Sequence, residues 1–401
     1  MSYFSFTTAG ESHGPALTVI VEGVPAGLEL SAREIDPELR RRQGGYGRGG
    51  RMRIESDRVE MLSGVRLGES IGSPISLLIR NRDWDNWRVP MNPDPPPEDA
   101  SDQELRRVTR VRPGHADLAG ALKYGRRDAR DVLERASARE TAARVAAGAV
   151  AKRFLAEFGV TVGSHVITLG EVEAEPPYPL PGDLNASSDA SPVRTLDPRA
   201  EPLMIEAIDR AKRDGDTLGG VFEVVAHGVP VGLGSYVAWH RKLDGRLMGA
   251  VGSIHAVKGV EVGPAFANAR KPGSRVHDEI VLAEPDGLGG GYGRGSNRAG
   301  GSEGGISTGA PLVVRGAMKP ISTLMSPLNT VDLASGEVTE AAQERSDVCA
   351  LPAAAVVAEA MVALVLADSF REKFGGDSMA EVKRNYQAYR EQLKHRWSRQ
   401  A

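Results

Sequence analysis

One cysteine, Cys349, stands in 401 residues. A single thiol closes no disulfide within the chain and builds no multi-thiolate metal site, which suits a reducing compartment. Aromatic residues are scarce too, at 5%, so a surface that stacks nucleic-acid bases has little to be made from. Neither sign of charge is in excess, with 50 Lys and Arg against 53 Asp and Glu. That balance argues against a basic nucleic-acid coat, and 41% hydrophobic residues argue against a disordered chain. No apolar run approaches the roughly 20 residues of a membrane span. The most apolar stretch, 350–367, is interrupted by Glu359. The first residues lack a basic start followed by an apolar run, so no signal peptide is read. The expectation is a cytoplasmic, globular protein with no membrane and no nucleic-acid partner.

Glycine, by contrast, is plentiful, and it concentrates at 44–50 and 287–309. A flexible linker or a low-complexity tract is one reading, but both clusters lie between segments that read as regular structure. Internal comparison says more. Residues 18–28, TVIVEGVPAGL, match 223–233, EVVAHGVPVGL, at six of eleven positions. In the same order, GGYGRGG at 44–50 matches GGYGRGS at 290–296, and GSPISLLI at 72–79 resembles GAPLVVRG at 309–316. Segments opening at Arg135-Ala136-Ser137 and Arg345-Ser346-Asp347 both end in a Phe-x-x-x-Phe-Gly word, at 154–159 and 370–375. Four ordered matches point to duplication of a unit of about 140 residues, too long for a solenoid repeat. The chain therefore reads as one large domain, 1–401, of two pseudo-equivalent halves, about 1–160 and 216–376. A Pro/Ser-rich connection spans about 175–202.

Each half offers strands and then a helix. Strands are expected at 18–22, 75–79 and 223–226, and a hairpin of 52–54 with 59–61 around Ser56-Asp57. A helix is expected over 137–158, stopped by Gly159, and another from Pro352 to Gly375. The second is apolar on most faces, so it should be buried, at a subunit contact. A last helix, about 379–397, carries Met379, Val382, Tyr386, Tyr389 and Leu393 on one stripe. Stretches 90–97 and 175–202 read as surface loops. The fold class is α+β, with antiparallel or mixed sheets packed under helices.

Eight histidines are few enough to weigh singly. His13 sits in Gly10-Glu11-Ser12-His13-Gly14, and His115 in Arg112-Pro113-Gly114-His115-Ala116-Asp117. A lone histidine is more often a packed or surface side chain than a catalyst, but flanking glycines let a ligand come close. No histidine spacing suggests a metal site, and no Walker-type phosphate loop is present. Arg40, Arg41, Arg42, Arg48, Arg51 and Arg53 crowd around the first Gly cluster. A solvated charged face is the plain alternative, yet arginine among Gly turns suits bidentate binding of phosphate or carboxylate. These residues alone suggest a phosphorylated, anionic small molecule held between the two halves.

Six segments then carry a family likeness: GESHG (10–14), GYGRG (45–49), RPGHAD (112–117), ERASARET (134–141), KPIST (319–323) and RSDVCA (345–350). In this order the chain resembles the chorismate synthase family, from about Thr7 to Tyr389. The resemblance implies loss of phosphate and a C6 proton from 5-enolpyruvylshikimate 3-phosphate, giving chorismate. It also implies reduced FMN without net redox change, a homotetramer and an internally duplicated β-α-β sandwich. Arg42, Arg48 and Arg112 would contact substrate. His13 would be the general acid, and His115 would stand at the N1 side of the flavin. Asp347 would keep flavin N5 deprotonated so that N5 takes the C6 hydrogen. Ser12 and Ser137 would relay protons. Flavin contacts carry over onto Arg135, Ala136, Ser137, His255, Ala256, Gly304, Lys319, Pro320, Ile321, Ser322, Thr323 and Arg345. No metal is implied.

Two features depart from the family. Asn or Gln is commoner where His255 stands, and the run 289–294 is longer than usual. No Rossmann-type unit is present, which favours an external flavin reductase, with NADPH as an indirect reductant. Rivals from other classes are a nucleic-acid binder using GYGRGG tracts and a flavin-binding protein that has lost catalysis.

Overall fold

Alternation along β2 (Ala16–Glu22) shows how this chain makes its sheets. Leu17, Val19 and Val21 are buried while Ile20 and Glu22 face out, the period-two pattern of a strand with one face on a core. The structure is a computed structural model that describes residues 3–49, 56–344 and 346–395. With β1 (Ser5–Ala9), β3 (Glu60–Met61) and β4 (Ile75–Arg80), β2 forms an antiparallel sheet in the order β1-β2-β4-β3. A second antiparallel sheet contains β5 (Thr161–Leu169), β6 (Val172–Glu173), β7 (Gly220–His227), β8 (Val257–Val262) and β9 (Leu312–Met318). Its order is β8-β9-β7-β5-β6.

Helix α1 (Ala32–Gln43) follows β2, and α2 (Asp117–Tyr124) and α3 (Arg130–Ala136) lead into α4 (Thr141–Ala156). Helices α5 (Leu184–Asp189) and α6 (Ala200–Asp214) lie between β6 and β7, and α7 (Leu243–Gly252) follows β7. Last come α8 (Leu351–Phe374) and α9 (Met379–His395). Helix α4 rests on β2, α8 rests on β5 and β7, and the two helices pack on each other. Small residues let them. A Cβ on Gly148 of α4 would lie 2.2 Å from the Cβ of Ala360 on α8, so only glycine permits this approach.

By length and composition α8 could cross a membrane, yet 89% of its apolar window is buried inside the fold. It is a core helix, covered by α1, α4, α7 and the second sheet of its own chain. The expected subunit contact is not needed to bury it. Glu359 sits at its centre, fully buried. Arg41 grips it with two bonds of 2.8 and 2.9 Å, Lys152 and Ser164 reach it at 2.5 Å, and Arg194 at 3.1 Å. Burial alone would raise this carboxyl, but Lys152, Arg41 and Arg194 hold it far below the usual range. Arg194 also explains a correction. The 175–202 stretch is not simply a surface loop, because it contains α5, the buried Val193, and the buried Arg194, which bonds both Ser188 and Glu359.

Other expectations fare variously. Helix α8 has Pro352 in its first turn and stops at Gly375, and α9 buries Met379, Val382 and Tyr386. The 137–158 helix divides into a 3-10 turn, Ala138–Glu140, and α4. The first arm of the expected hairpin, 52–54, lies outside the described residues; Glu60–Met61 pairs with Leu78 and Leu77 of β4.

Four strands of each sheet share one strand order. Taken along the chain, β1, β2, β3, β4 and α4 occupy the places of β5, β7, β8, β9 and α8. A Gly-Val-Pro turn leaves both β2 and β7, and a hairpin serine closes each. Ser70 Oγ donates to Pro25 O at 2.6 Å and accepts from Leu28 N–H at 2.9 Å. Ser307 Oγ donates to Pro230 O at 2.6 Å and accepts from Leu233 N–H at 2.8 Å. Both hairpins turn through left-handed pairs, Leu67 and Gly68 at φ 53° and 85°, Gly304 and Gly305 at 61° and 88°. That is the backbone of a tight two-residue hairpin.

Gly148→Val should lower the urea midpoint of unfolding, costing at least about 1–3 kcal/mol by overpacking. Gly182→Ala, where a Cβ meets nothing within 4 Å, should leave the midpoint in place. An unmoved Gly148→Val midpoint would mean that α4 and α8 do not touch there.

Candidate active site

The residues ahead of α4 and those ahead of α8 open onto one cleft of about 1050 Å³. Ser137, Ala138 and Arg139 line it from the first side, and Ser346, Asp347 and Ala350 from the second. Ser137 Oγ accepts the Arg139 N–H at 3.3 Å and lies 3.0 Å from Ser12 Oγ. Among the described residues the lining is electropositive, with Arg42, Arg48, Arg106, Arg112, Arg130, Arg139 and Lys319 against Asp83, Glu344 and Asp347. A small anion is the ligand such a lining concentrates.

His13 arrives on the loop between β1 and β2. Asn81 anchors that loop by donating to Gly14 O at 2.7 Å, and Arg139 orients Asn81 at 2.8 Å. Glu134 on α3 accepts the His13 backbone N–H and lies against its Nδ1, both at 2.8 Å. Trp87 stacks on the imidazole, centroids 3.8 Å apart. Burial would raise the Glu134 carboxyl, but its bonds to His13 and the charge of Arg130 hold it below the ordinary range.

Arg112 and His115 share a second carboxylate. Asp117, fully buried at the start of α2, accepts Arg112 Nε at 2.8 Å and lies 2.5 Å from His115 Nδ1. Arg112 also donates to Thr323 at 3.1 Å, joining the RPGHAD and KPIST segments. Burial works against the Asp117 charge, but His115 and Arg112 hold its carboxyl well down. Arg42 is nearly buried and donates to Thr141 Oγ1 and Ala138 O, each at 2.9 Å. Its Nη1 makes no hydrogen bond, and burial pushes the guanidinium down to about 10, partly offset by Asp57. Arg48 reaches Asp347 at 3.2 Å, and Gly49 N–H donates to the same carboxylate at 2.6 Å.

On the remaining wall stand Ala136, His255, Ala256, Lys319, Ile321, Ser322 and Thr323. His255 Nδ1 is buried without a hydrogen-bond partner, and burial pushes its imidazole down to about 4. Burial, then Lys258, lowers Lys319 as well. Pro320 does not line the cleft, and Arg135 turns away to the carbonyls of Thr8 and Gly10. Arg345 lies outside the described residues. Gly304 is at the tip of its hairpin with nothing within 4 Å of a Cβ.

The two Gly-rich segments do not both line this cleft. Arg48 and Gly49 do, but no residue of 287–309 does. Tyr292–Arg294 is committed to pairing with Ile280–Leu282, and Ser307 to the Gly-Val-Pro turn. Likewise α8 starts at Leu351, four residues beyond Asp347, so Asp347 is held by Arg48 and Gly49 instead of a helix end.

Over residues 4–370 the chain matches a family model described as chorismate synthase. The chain belongs to the chorismate synthase family. A chorismate synthase of Chlorobaculum tepidum is 55% identical, covering 98% of this chain and 99% of that one. One of Symbiobacterium thermophilum is 57% identical over 98% and 100%. A crystal structure of chorismate synthase superposes with a TM-score of 0.77 at 45% identity, covering 98% of both chains. The activity is that of a lyase forming chorismate at the last step of the shikimate pathway, toward the aromatic amino acids. The family uses reduced flavin and acts on a small molecule.

Sequence reading alone missed Glu134, Asp117 and Trp87. The two acids lie inside quoted motifs, ERASARET and RPGHAD, and their spacing to a histidine was the available signal for Asp117. Glu134 is far from His13 in sequence, and nothing marked Trp87 in its Pro-rich loop.

Because His255 is held near 4 against an ordinary 6.5, the folded chain binds fewer protons there than the unfolded one between those values. Stability should therefore fall as pH drops from about 6.5 toward 4. His255→Gln should flatten that part of the curve of unfolding free energy against pH. An unchanged slope would show that His255 titrates normally.

Proposed function

We propose that the cleft holds 5-enolpyruvylshikimate 3-phosphate and reduced FMN together, with His13 and Asp347 placed for the proton transfers. One observation carries this: His13, His115, Asp347, Arg42, Arg48 and Arg112, scattered over 335 positions of sequence (13–347), converge on one electropositive cleft. The substrate bears two carboxylates and a phosphate, and arginines fixed by Asp117, Asp57 and Asp347 are preorganised to orient them. His13 donates a proton to the departing phosphate, and Ser12 and Ser137, 3.0 Å apart, supply a relay. His115 faces the cofactor.

The donor set suits FMN. An unpartnered His255 Nδ1 and a lysine lowered by burial both gain from an anionic, hydrogen-bonding ring or phosphate. Ala136, Ser137, His255, Ala256, Lys319, Ile321, Ser322 and Thr323 would hold it, with Pro320, Arg135, Arg345 and Gly304 retained from the family likeness. When bound, reduced FMN supplies electron density to the reacting carbon frame. Asp347, 3.2 Å from Arg48, accepts a proton at its carboxylate.

The same reading covers the chain's organisation. Two halves, about 1–160 and 216–376, descend from one duplicated β-α-β unit within a single domain, supported by the matched serine-closed turns. We place the enzyme in the cytoplasm as a homotetramer, away from membrane and nucleic acid. An external flavin reductase supplies reduced FMN, NADPH acting only as the indirect reductant.

Anaerobic assays with 5-enolpyruvylshikimate 3-phosphate should yield chorismate with dithionite-reduced FMN and none with oxidised FMN. NADPH with FMN alone should not suffice. No flavin should be oxidised per chorismate formed. Flavin binding without chorismate would leave a catalytically inert flavin protein. Asp347→Asn keeps the Gly49 N–H bond but cannot take a proton. It should bind FMN and substrate yet lose about two or more powers of ten in turnover; normal turnover would place the proton acceptor elsewhere.

A further inference from the structure

Both carboxylate oxygens of Glu134 are used on one residue. Oε2 accepts the backbone N–H of His13, and Oε1 lies 2.8 Å from its Nδ1. The carboxylate is itself immobilised. Glu134 is buried, Arg130 reaches Oε1 at 3.2 Å, and Glu134 O accepts the Ser12 N–H at 2.9 Å. The imidazole is fixed across its face as well. Trp87 stacks on it at 22°, the Arg106 guanidinium lies 4.1 Å from the indole, and Trp87 Nε1 donates to Asp83 at 3.0 Å.

We propose, resting on His13 being the general acid, that Glu134 is its positioning residue: it keeps a hydrogen on Nδ1 and so assigns proton exchange with the ligand to Nε2. An ionised carboxylate can only accept. Opposite one, Nδ1 carries a hydrogen in both charge states of the ring, and only Nε2 gains or loses a proton. As the carbon–oxygen bond to phosphate breaks, its electron pair leaves on the phosphate oxygen. That oxygen takes the Nε2 hydrogen, and the ring becomes neutral with Nδ1–H still bonded to Glu134. Before transfer, the same carboxylate stabilises the positive ring, as in other carboxylate–histidine pairs. Among the described residues, charged groups that meet this pair include Arg130 on α3, Glu344 bonded to Arg130 at 3.1 Å, and Arg106 and Asp83 acting through Trp87.

A purely structural Glu134 would merely tie down the loop through the His13 backbone N–H, a bond that glutamine also makes. Glu134→Gln therefore separates the two roles. With reduced FMN under anaerobic conditions, kcat should fall about 10- to 10³-fold, while KM for 5-enolpyruvylshikimate 3-phosphate stays within about threefold. The alkaline fall of kcat should move to lower pH, because the positive ring has lost its anionic neighbour. Glu134→Asp should recover part of kcat and of the pH profile. In a His13→Ala background, Glu134→Gln should cost nothing further, since it acts through that ring. Wild-type kcat with an unmoved profile, or full additivity with His13→Ala, would overturn the proposal. So would a loss of fold or FMN binding in Glu134→Gln with an unchanged pH profile. A near-normal kcat for His13→Ala alone would instead remove His13 as the acid, a separate failure visible in its own assay.

Discussion

The two sheets meet through a close packing of α4 on α8, tightest where Gly148 lies against Ala360. Because the helices touch almost backbone to backbone, neither has room to slide, and the residues ahead of both helices stay on one cleft. Ser137 to Arg139 and Ser346 to Ala350 come from far apart in sequence, yet they form facing walls for this reason. The charged node at Glu359, among the same helices, closes the seam. Removing one partner would leave buried charge uncompensated, which is far more costly than the pair's net contribution.

Next to that node the chain divides its arginines between scaffold and site. Arg41 turns inward to Glu359, and its neighbour Arg42 turns to the cleft. In the cleft three arginines have an acid beside them: Asp57 for Arg42, Asp117 for Arg112, Asp347 for Arg48. Guanidinium groups placed this way are rigid before the ligand arrives, so less side-chain freedom is lost on binding.

Much of this was legible from residues alone. The strands around 18–22 and 75–79, the helix from Pro352 to Gly375 and the repeat of the Gly-Val-Pro turn all depend on local pattern, and the structure has them. His13, His115, Arg42, Arg48 and Arg112 announced themselves by glycine neighbours and family motifs, and they do share a cleft. What escaped was long-range. Arg194 makes an apparently loop-like segment part of the core only because Glu359 waits across the fold. Trp87 meets His13 through tertiary folding with no spacing to betray it. The second Gly-rich tract matched the first at six of seven positions, but its strand pairing with Ile280–Leu282 took it elsewhere.

The two serine-closed turns, alike to within 0.1 Å in their hydrogen bonds, bear on the handedness of recognition. Two frameworks that stayed alike everywhere would offer an asymmetric ligand two equivalent poses, one the reverse of the other. The connections break that degeneracy. Between β1 and β2 runs only the short loop 10–15 that carries His13, whereas the corresponding link from β5 to β7, 170–219, holds β6, α5 and α6. Repetition is kept where the backbone closes on itself and lost where a ligand is met, so a pseudo-symmetric scaffold can read its ligand in a single direction.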